Sequence, residues 1–393
     1  MQFFEKLADQ VENLSGELGF SEAALQALAQ ARPAEHHSVE EIVSWALLAE
    51  KLPRQRDIAA SFGDPPITLV HRPNFHIQLL LWREGSAAIH HHAFSGAFSV
   101  LRGESLHTRY GFTQVEKVSD GFVTGELHFW DCEYLKVGDV RGIVPGPSMI
   151  HSVFHLGQPS ATIVVRTHHD PAGSPQLAYT PQLAFDPFVE SVELTRKLQL
   201  LDMIADKGEK ELVSALREII EVADLVTSFA VLRFYVSRVG HVRKIGSLLE
   251  GVSAKHGQVA GVIQNALEDS LREGNIVSRR QILKSPEHRL FLALLLNIPT
   301  LAGMLEILRS YSDENPQELI KRWLEEIATI KVDSRWGPSA LGVVLNDGAL
   351  EFLAGIISGS SVEDAQSGCS DARAGAIASL TLTRSSVLRP LFR

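Results

Sequence analysis

Two cysteines in 393 residues are too few for a disulfide framework, and neither Cys132 nor Cys369 lies in a paired zinc-ligand spacing, so both read as ordinary reduced thiols. Positive charge is also in short supply. With 37 Lys+Arg against 47 Asp+Glu the formal charge is -10, which excludes phosphate-backbone binding as a main task, and no nucleic-acid partner is expected. Long apolar runs are missing too. The most apolar stretch, residues 290–298, falls far short of the roughly 20 residues that a membrane-spanning helix requires, so no membrane partner is expected. The opening MQFFEKLADQVENL has neither a basic n-region nor a continuous apolar h-region, which leaves a cytoplasmic location as the expectation. There is no phosphate loop, nucleophile elbow or internal repeat.

What is present is a 45% hydrophobic fraction on a chain longer than one core usually serves, so two units are expected. Residues 1–60 carry apolar side chains at helical spacing: Phe4, Leu7, Val11 and Leu14, then Leu25, Leu28 and Ala29, then Ile42, Val43, Leu47 and Leu48. Three short helices fit, with N-caps at Ser21 before Glu22 and at Ser38 before Glu40 and Glu41. Residues 61–187 change to short β-rich runs at 67–70, 75–82, 94–101 and 162–167, punctuated by glycine and proline, which predicts a sandwich or barrel on which the N-terminal helices pack. Four prolines (Pro171, Pro175, Pro181, Pro187) make 170–187 a linker or strap at the domain boundary. Residues 188–393 are helical, with runs at 189–206, 209–225, 226–239, 245–272, 288–308 and 316–330, and a Gly-, Ser- and Ala-rich tail from Gly355 that reads as partly mobile. The fold class expected is α+β: N-terminal helices, a barrel, and a separate all-α C-terminal domain. That domain would serve oligomerisation, act as a lid or dock a partner. Phe229, Leu232, Phe234 and Tyr235, and residues 290–296, could line a ligand channel, but core packing explains them better.

The chemistry concentrates in one segment. A strand pattern from Trp82 through Gly85 ends in Ile89-His90-His91-His92. Side chains on a strand alternate faces, so His90 and His92 converge while His91 points away and is not a ligand. Paired neutral imidazoles suit iron, zinc, copper or nickel, and a third ligand must come from elsewhere.

On these residues the chain resembles the cupin superfamily, whose first motif is a glycine, five residues, HxH and a later glycine. Gly85, four intervening residues, His90, His92 and Gly103 follow that pattern, and Gly96 or Ala97 stands where the family's glutamate ligand would fall. The second cupin motif is matched by Gly138-Asp139 through Pro145-Gly146-Pro147 to His151, which the resemblance makes the third ligand of a three-histidine centre. With LLLW and IHHHAFSGAFSVLRGE the chain looks most like the thiol dioxygenases of the cysteine dioxygenase group. The resemblance covers about a quarter of the chain and implies a double-stranded β-helix barrel, Fe(II) or another divalent transition metal, and thiolate and O2 as co-substrates.

The resemblance fails at other functional positions of the family. Its serine, histidine and tyrosine fall on Val164, Arg166 and His168, its crosslinking cysteine on Ala97, and its asparagine on His155. Cysteine is therefore not assumed as the substrate. Arg166 and His168 share strand parity and form the candidate catalytic pair, with Arg166 and Arg72 as candidate anion clamps. Arg72, His155 and Tyr110 form the candidate substrate-binding set, although for Tyr110 and His107 ordinary strand roles are preferred, and His169 ranks below His155. The function expected is a three-histidine Fe(II) oxygenase acting on a small organic substrate. The alternatives are a metal-dependent lyase or isomerase without O2, and a non-catalytic small-ligand cupin with a helical interaction domain.

Overall fold

Alternating inward and outward side chains in the middle of the chain decide the architecture. The computed structural model describes residues 1–56, 63–83, 88–170, 175–188, 191–242 and 244–393. Gly85, Pro171, the start of the helical run at 189 and the boundary drawn at residue 60 lie outside the described residues. The strands are β1 (Pro66–His71), β2 (Phe75–Trp82), β3 (Ile89–His90), β4 (Gly96–Arg102), β5 (Ser105–Ser119), β6 (Phe122–Leu135), β7 (Val140–Ile143), β8 (Ile150–His155), β9 (Ser160–Thr167), β10 (Ala178–Thr180) and β11 (Leu183–Phe185). One sheet has the order β1-β2-β9-β4-β7, and the others run β10-β11-β6-β5-β8-β3 with β10 paired back onto β3, which closes a barrel. The segment read as a linker thus holds the two strands that complete this ring, a pairing that their short length hides from periodicity.

Helices α1 (Gln2–Ser15), α2 (Phe20–Ala31), α3 (Pro33–His36) and α4 (Val39–Leu48) precede the strands, four among the described residues where three were expected. Ser38 caps α4 in a reciprocal capping box with Glu41, worth about 1 kcal/mol. Ser21 is not a cap: Gly19 takes that position, and the Ser21 hydroxyl instead donates to the Ile143 carbonyl of β7. Phe4, Leu7 and Val11 of α1 and Ala24, Ala27 and Leu28 of α2 form one cluster with Ile77, Leu79, Ile163 and Val165, the outward residues of β2 and β9.

After the strands come α5 (Val192–Ala205), α6 (Glu209–Val222), α7 (Leu225–Val239), α8 (Ile245–His256), α9 (Val259–Ser278), α10 (Pro286–Asn297), α11 (Leu301–Tyr311), α12 (Pro316–Thr329), α13 (Asp347–Ile357), α14 (Val362–Ser367) and α15 (Ala372–Leu382). The run expected as one helix over 245–272 breaks at Gly257, whose φ of +69° suits glycine. That expected over 288–308 breaks before Pro299, where Ile298 is extended as residues preceding proline prefer. The tail from Gly355 is largely helical, with Ile356, Ile357, Ala365 and Leu382 buried in the helical core. None of the described helices is long and apolar enough to cross a membrane.

The helices after the strands share buried clusters with the barrel. Leu106, Phe154 and Leu156 of the barrel share one cluster with Phe291, Leu294 and Trp323, and Phe122, Leu183 and Phe185 share another with Leu216, Phe229 and Leu267. Each such buried side chain contributes about 1.5–3 kcal/mol, and here barrel and helices draw on the same ones. Arg289 of α10 adds a polar tie, donating to the Leu156 carbonyl at 3.2 Å and to Leu283 at 3.0 Å.

Candidate metal centre

Strand parity assembles the site. On β8, His151 and His155 face the barrel interior, while Ser152 and Phe154 face α10: the Ser152 hydroxyl donates to Asn297 Oδ1 at 2.9 Å, and Phe154 sits in the helical core. His90 of β3 stands directly across from His151, and two residues later His92 forms a bridge with Pro145. One nitrogen from each of His90, His92 and His151 lies within 4.8 Å of the others. All three side chains are shielded, and burial, together with the neighbouring imidazoles, holds their pKa values below the ordinary histidine value, well below for His92 and His151. They are neutral at pH 7, the form that ligates metals.

Hydrogen-bond partners then decide which nitrogen carries each proton. A carbonyl only accepts, so His90 Nδ1, 2.9 Å from the Ala88 oxygen, is protonated, and Nε2 keeps its lone pair. That Nε2 is buried with no hydrogen-bond partner. The carboxylate of Glu133 likewise accepts from His107 Nδ1 at 2.9 Å, and His107 Nε2 stands 2.9 Å from His151 Nδ1 as its acceptor. The lone pair of His151 is thereby placed on Nε2, 2.9 Å from His92 Nε2. Arg141 holds Glu133 through Nε at 2.9 and 3.0 Å. The hydrogen bond from His107, with help from Arg141, keeps the Glu133 carboxyl down at about 2 against its own burial.

These residues fit a transition metal held by three imidazoles. A buried lone pair without a donor is costly unless a cation meets it, and a carboxylate behind a ligating histidine is the usual supporting arrangement. A carboxylate from the Gly96 position has no room to join them, because a Cβ there would lie 2.1 Å from the Val165 carbonyl oxygen. Ala97 faces the opposite side, within the N-terminal helix cluster.

Around the centre the sequence candidates sort differently. Arg166 lies near it, its guanidinium 4.5 Å over the Phe94 ring, which in turn is 4.4 Å from the ring of His92. Arg166 Nε donates to His76 Nε2 at 3.0 Å, so His76 Nδ1 carries the proton and donates to His168 Nδ1 at 3.0 Å. His168 Nε2 then donates to the Arg72 carbonyl at 2.9 Å. Both ring nitrogens of His168 are committed, so it is a prop for His76 rather than a proton carrier. Burial and Arg166 press the His76 pKa down to about 3.

His155 faces the interior at the far end of β8, stacked on Trp82 at 4.7 Å and bonded to Ser105 at 2.9 Å. Two expectations are corrected. Arg72 is not at the site: its guanidinium is spent on Glu5 and Asp9 of α1, at 2.8 Å each. Tyr110 points to the face of β5 opposite His107, where its hydroxyl donates to Asn297 Oδ1 at 3.2 Å, so it does not face the metal centre. His91 faces away as expected and is satisfied by Tyr179 and the Pro175 carbonyl, and His169 is exposed. Cys132 is bonded to Thr108, and burial pushes its thiol up to about 12, which leaves it inert. Sequence reasoning missed Glu133 and Arg141 and passed over His107; the available signal was a histidine, an acid and an arginine inside otherwise β-rich runs.

Comparison with known protein families and with curated proteins finds no match to this chain.

Proposed function

We propose that this protein is a metal-dependent cupin oxygenase with a three-histidine Fe(II) centre, acting on a small organic substrate in the manner of the thiol dioxygenases. The observation that carries the reading is the convergence of His90, His92 and His151 on one point, with the partners of His90 and His151 turning their Nε2 lone pairs toward it. When bound, iron would supply the open positions at which O2 and a substrate donor meet.

The chain's own residues supply the rest. His107, held by Glu133 and Arg141, orients His151 and raises its basicity. Phe94, Phe98, Ile143 and Val164 form an apolar wall that excludes water. Arg166, set by His76 and Phe94, is the cation closest in character to an anion clamp for a substrate carboxylate. Of the two candidate clamps, Arg72 and Arg166, it is the one that stays near the centre.

The test is metal analysis of the as-isolated protein, followed by oxygen-uptake assays of the iron-loaded protein with a panel of small thiols and amino acids. Uptake that depends on His151 supports the reading; none with iron loaded overturns it. Val164, Arg166 and His168, where the family has serine, histidine and tyrosine, favour a second reading in which the metal polarises a substrate without O2. Turnover that persists under anaerobic conditions would select it.

A further inference from the structure

On the side of the barrel where β6 and β11 meet the helices, a cleft of about 620 Å3 opens, within the range of small-molecule sites. Phe122 and Phe185 of the strands and Leu198, Phe229 and Leu271 of α5, α7 and α9 line it. Three of its rings form a cluster, Phe229 lying edge-on to Phe122 at 5.5 Å and to Phe185 at 5.0 Å. Phe229, for which core packing is the preferred reading over a ligand channel, packs in the core and also walls the cleft.

Into this apolar surface projects one cation. The guanidinium of Arg233 sits 4.5 Å over Phe185 and 5.8 Å from Phe229 and is exposed to the cleft. No described residue accepts a hydrogen bond from it or pairs with it at ion-pair distance, whereas Arg238, on the same helix, pairs with Asp202 at 3.0 Å and Asp206 at 2.6 Å. Desolvation by the surrounding apolar groups pulls the pKa of Arg233 below the ordinary arginine value, and the acid that bears on it, Glu273, makes no ion pair with it. Burial raises Glu273 itself to about 7, which weakens that neutralisation. Asp186, the acid that lines the cleft, accepts from the Phe188 amide at 2.7 Å.

We propose that this cleft is a second binding site, for a small apolar monocarboxylate whose head group pairs with Arg233 and whose hydrocarbon body lies against Phe185, Phe229 and Leu271. A guanidinium 4.5 Å over one aromatic ring, with no described acceptor of its own, keeps its N–H groups for a ligand, and a planar carboxylate matches a guanidinium edge. A cleft lined by one cation and by the carboxylate of Asp186 suits one negative charge better than the two of a phosphate. The site is independent of the metal centre and of its proposed chemistry.

Isothermal titration with decanoate and with decan-1-ol, below the micelle concentration of decanoate, tests this. Decanoate should bind the wild-type protein one to one and about 10–100-fold more tightly than the alcohol, as a charge-assisted pair predicts. Arg233→Met should bring decanoate down to the level of the alcohol and leave the alcohol unchanged. Ser237→Trp, at an exposed lining position that keeps the arginine, should block both ligands. His151→Ala should bind decanoate as the wild type does, which separates this site from carboxylate capture at the metal centre. Equal binding of acid and alcohol by the wild type, no saturable decanoate binding, or full binding by Ser237→Trp would each overturn the proposal. Should Arg233→Met not fold, the wild-type comparison and Ser237→Trp decide it.

Discussion

Two groups of histidines, one carried by each sheet, end differently. In the chain from Arg166 through His76 and His168 to the Arg72 carbonyl, each donor meets an acceptor and the proton order runs head to tail. In the chain from Arg141 through Glu133 and His107 to His151, the order runs toward a point where lone pairs gather. His90 reaches that point from the other side with an unpaired Nε2. Histidine number therefore says little about metal binding. The direction in which neighbours push the lone pairs says much more.

The largest expected effect comes from breaking the converging group. His151→Ala should abolish stoichiometric metal binding, read by elemental analysis after dialysis, with a loss exceeding the roughly 10–100-fold of a supporting residue. Retained metal would move the centre elsewhere. Next, His107→Ala should weaken metal affinity by about 10–100-fold in competition with a chromophoric chelator, because His151 loses the acceptor that sets its tautomer. An unchanged affinity would reduce the Glu133 chain to a packing detail. By contrast, His76→Ala should leave metal stoichiometry untouched and lower the denaturant-unfolding free energy by about 1–3 kcal/mol, since Arg166 and His168 each lose a partner. Metal loss in that variant would erase the distinction between the two groups.

The smallest effect concerns pH. Glu133 has its folded pKa depressed to about 2, so it adds stability above the ordinary carboxyl value and loses it as pH falls toward the folded one. Its side chain is 30% exposed, which limits the size of the effect. The gap in urea midpoint between wild type and Glu133→Gln, both metal-free, should be steady near neutrality and close between about pH 4.5 and pH 2. A gap that widens on acidification would contradict the assigned hydrogen bonds.

Local pattern carries much of the fold and of the site. The β-rich runs became β1, β2, β4 and β9, and HxH parity separated His90 and His92 from His91. What escaped depends on pairing between distant segments. His107 and Glu133 are direct partners across β5 and β6, and no local signal reports that register. Arg72 was misjudged although α1 carries Glu5, Asp9 and Glu12 along one face, a stripe that claims a cation. Tyr110 stands three residues beyond His107, so strand parity alone would have turned it away from the metal centre. The breaks at Gly257 and Pro299 were legible as breakers but were overrun by continuous apolar periodicity.

The alternation along β8 also acts as a check on how the chain assembles. A slip of one residue would drive Phe154 into the histidine cluster and press His151 and His155, neutral but hungry for partners, against the oily flank of α10. Both faces of the mistake are costly at once, so the same strand that carries a ligand also proofreads its own pairing.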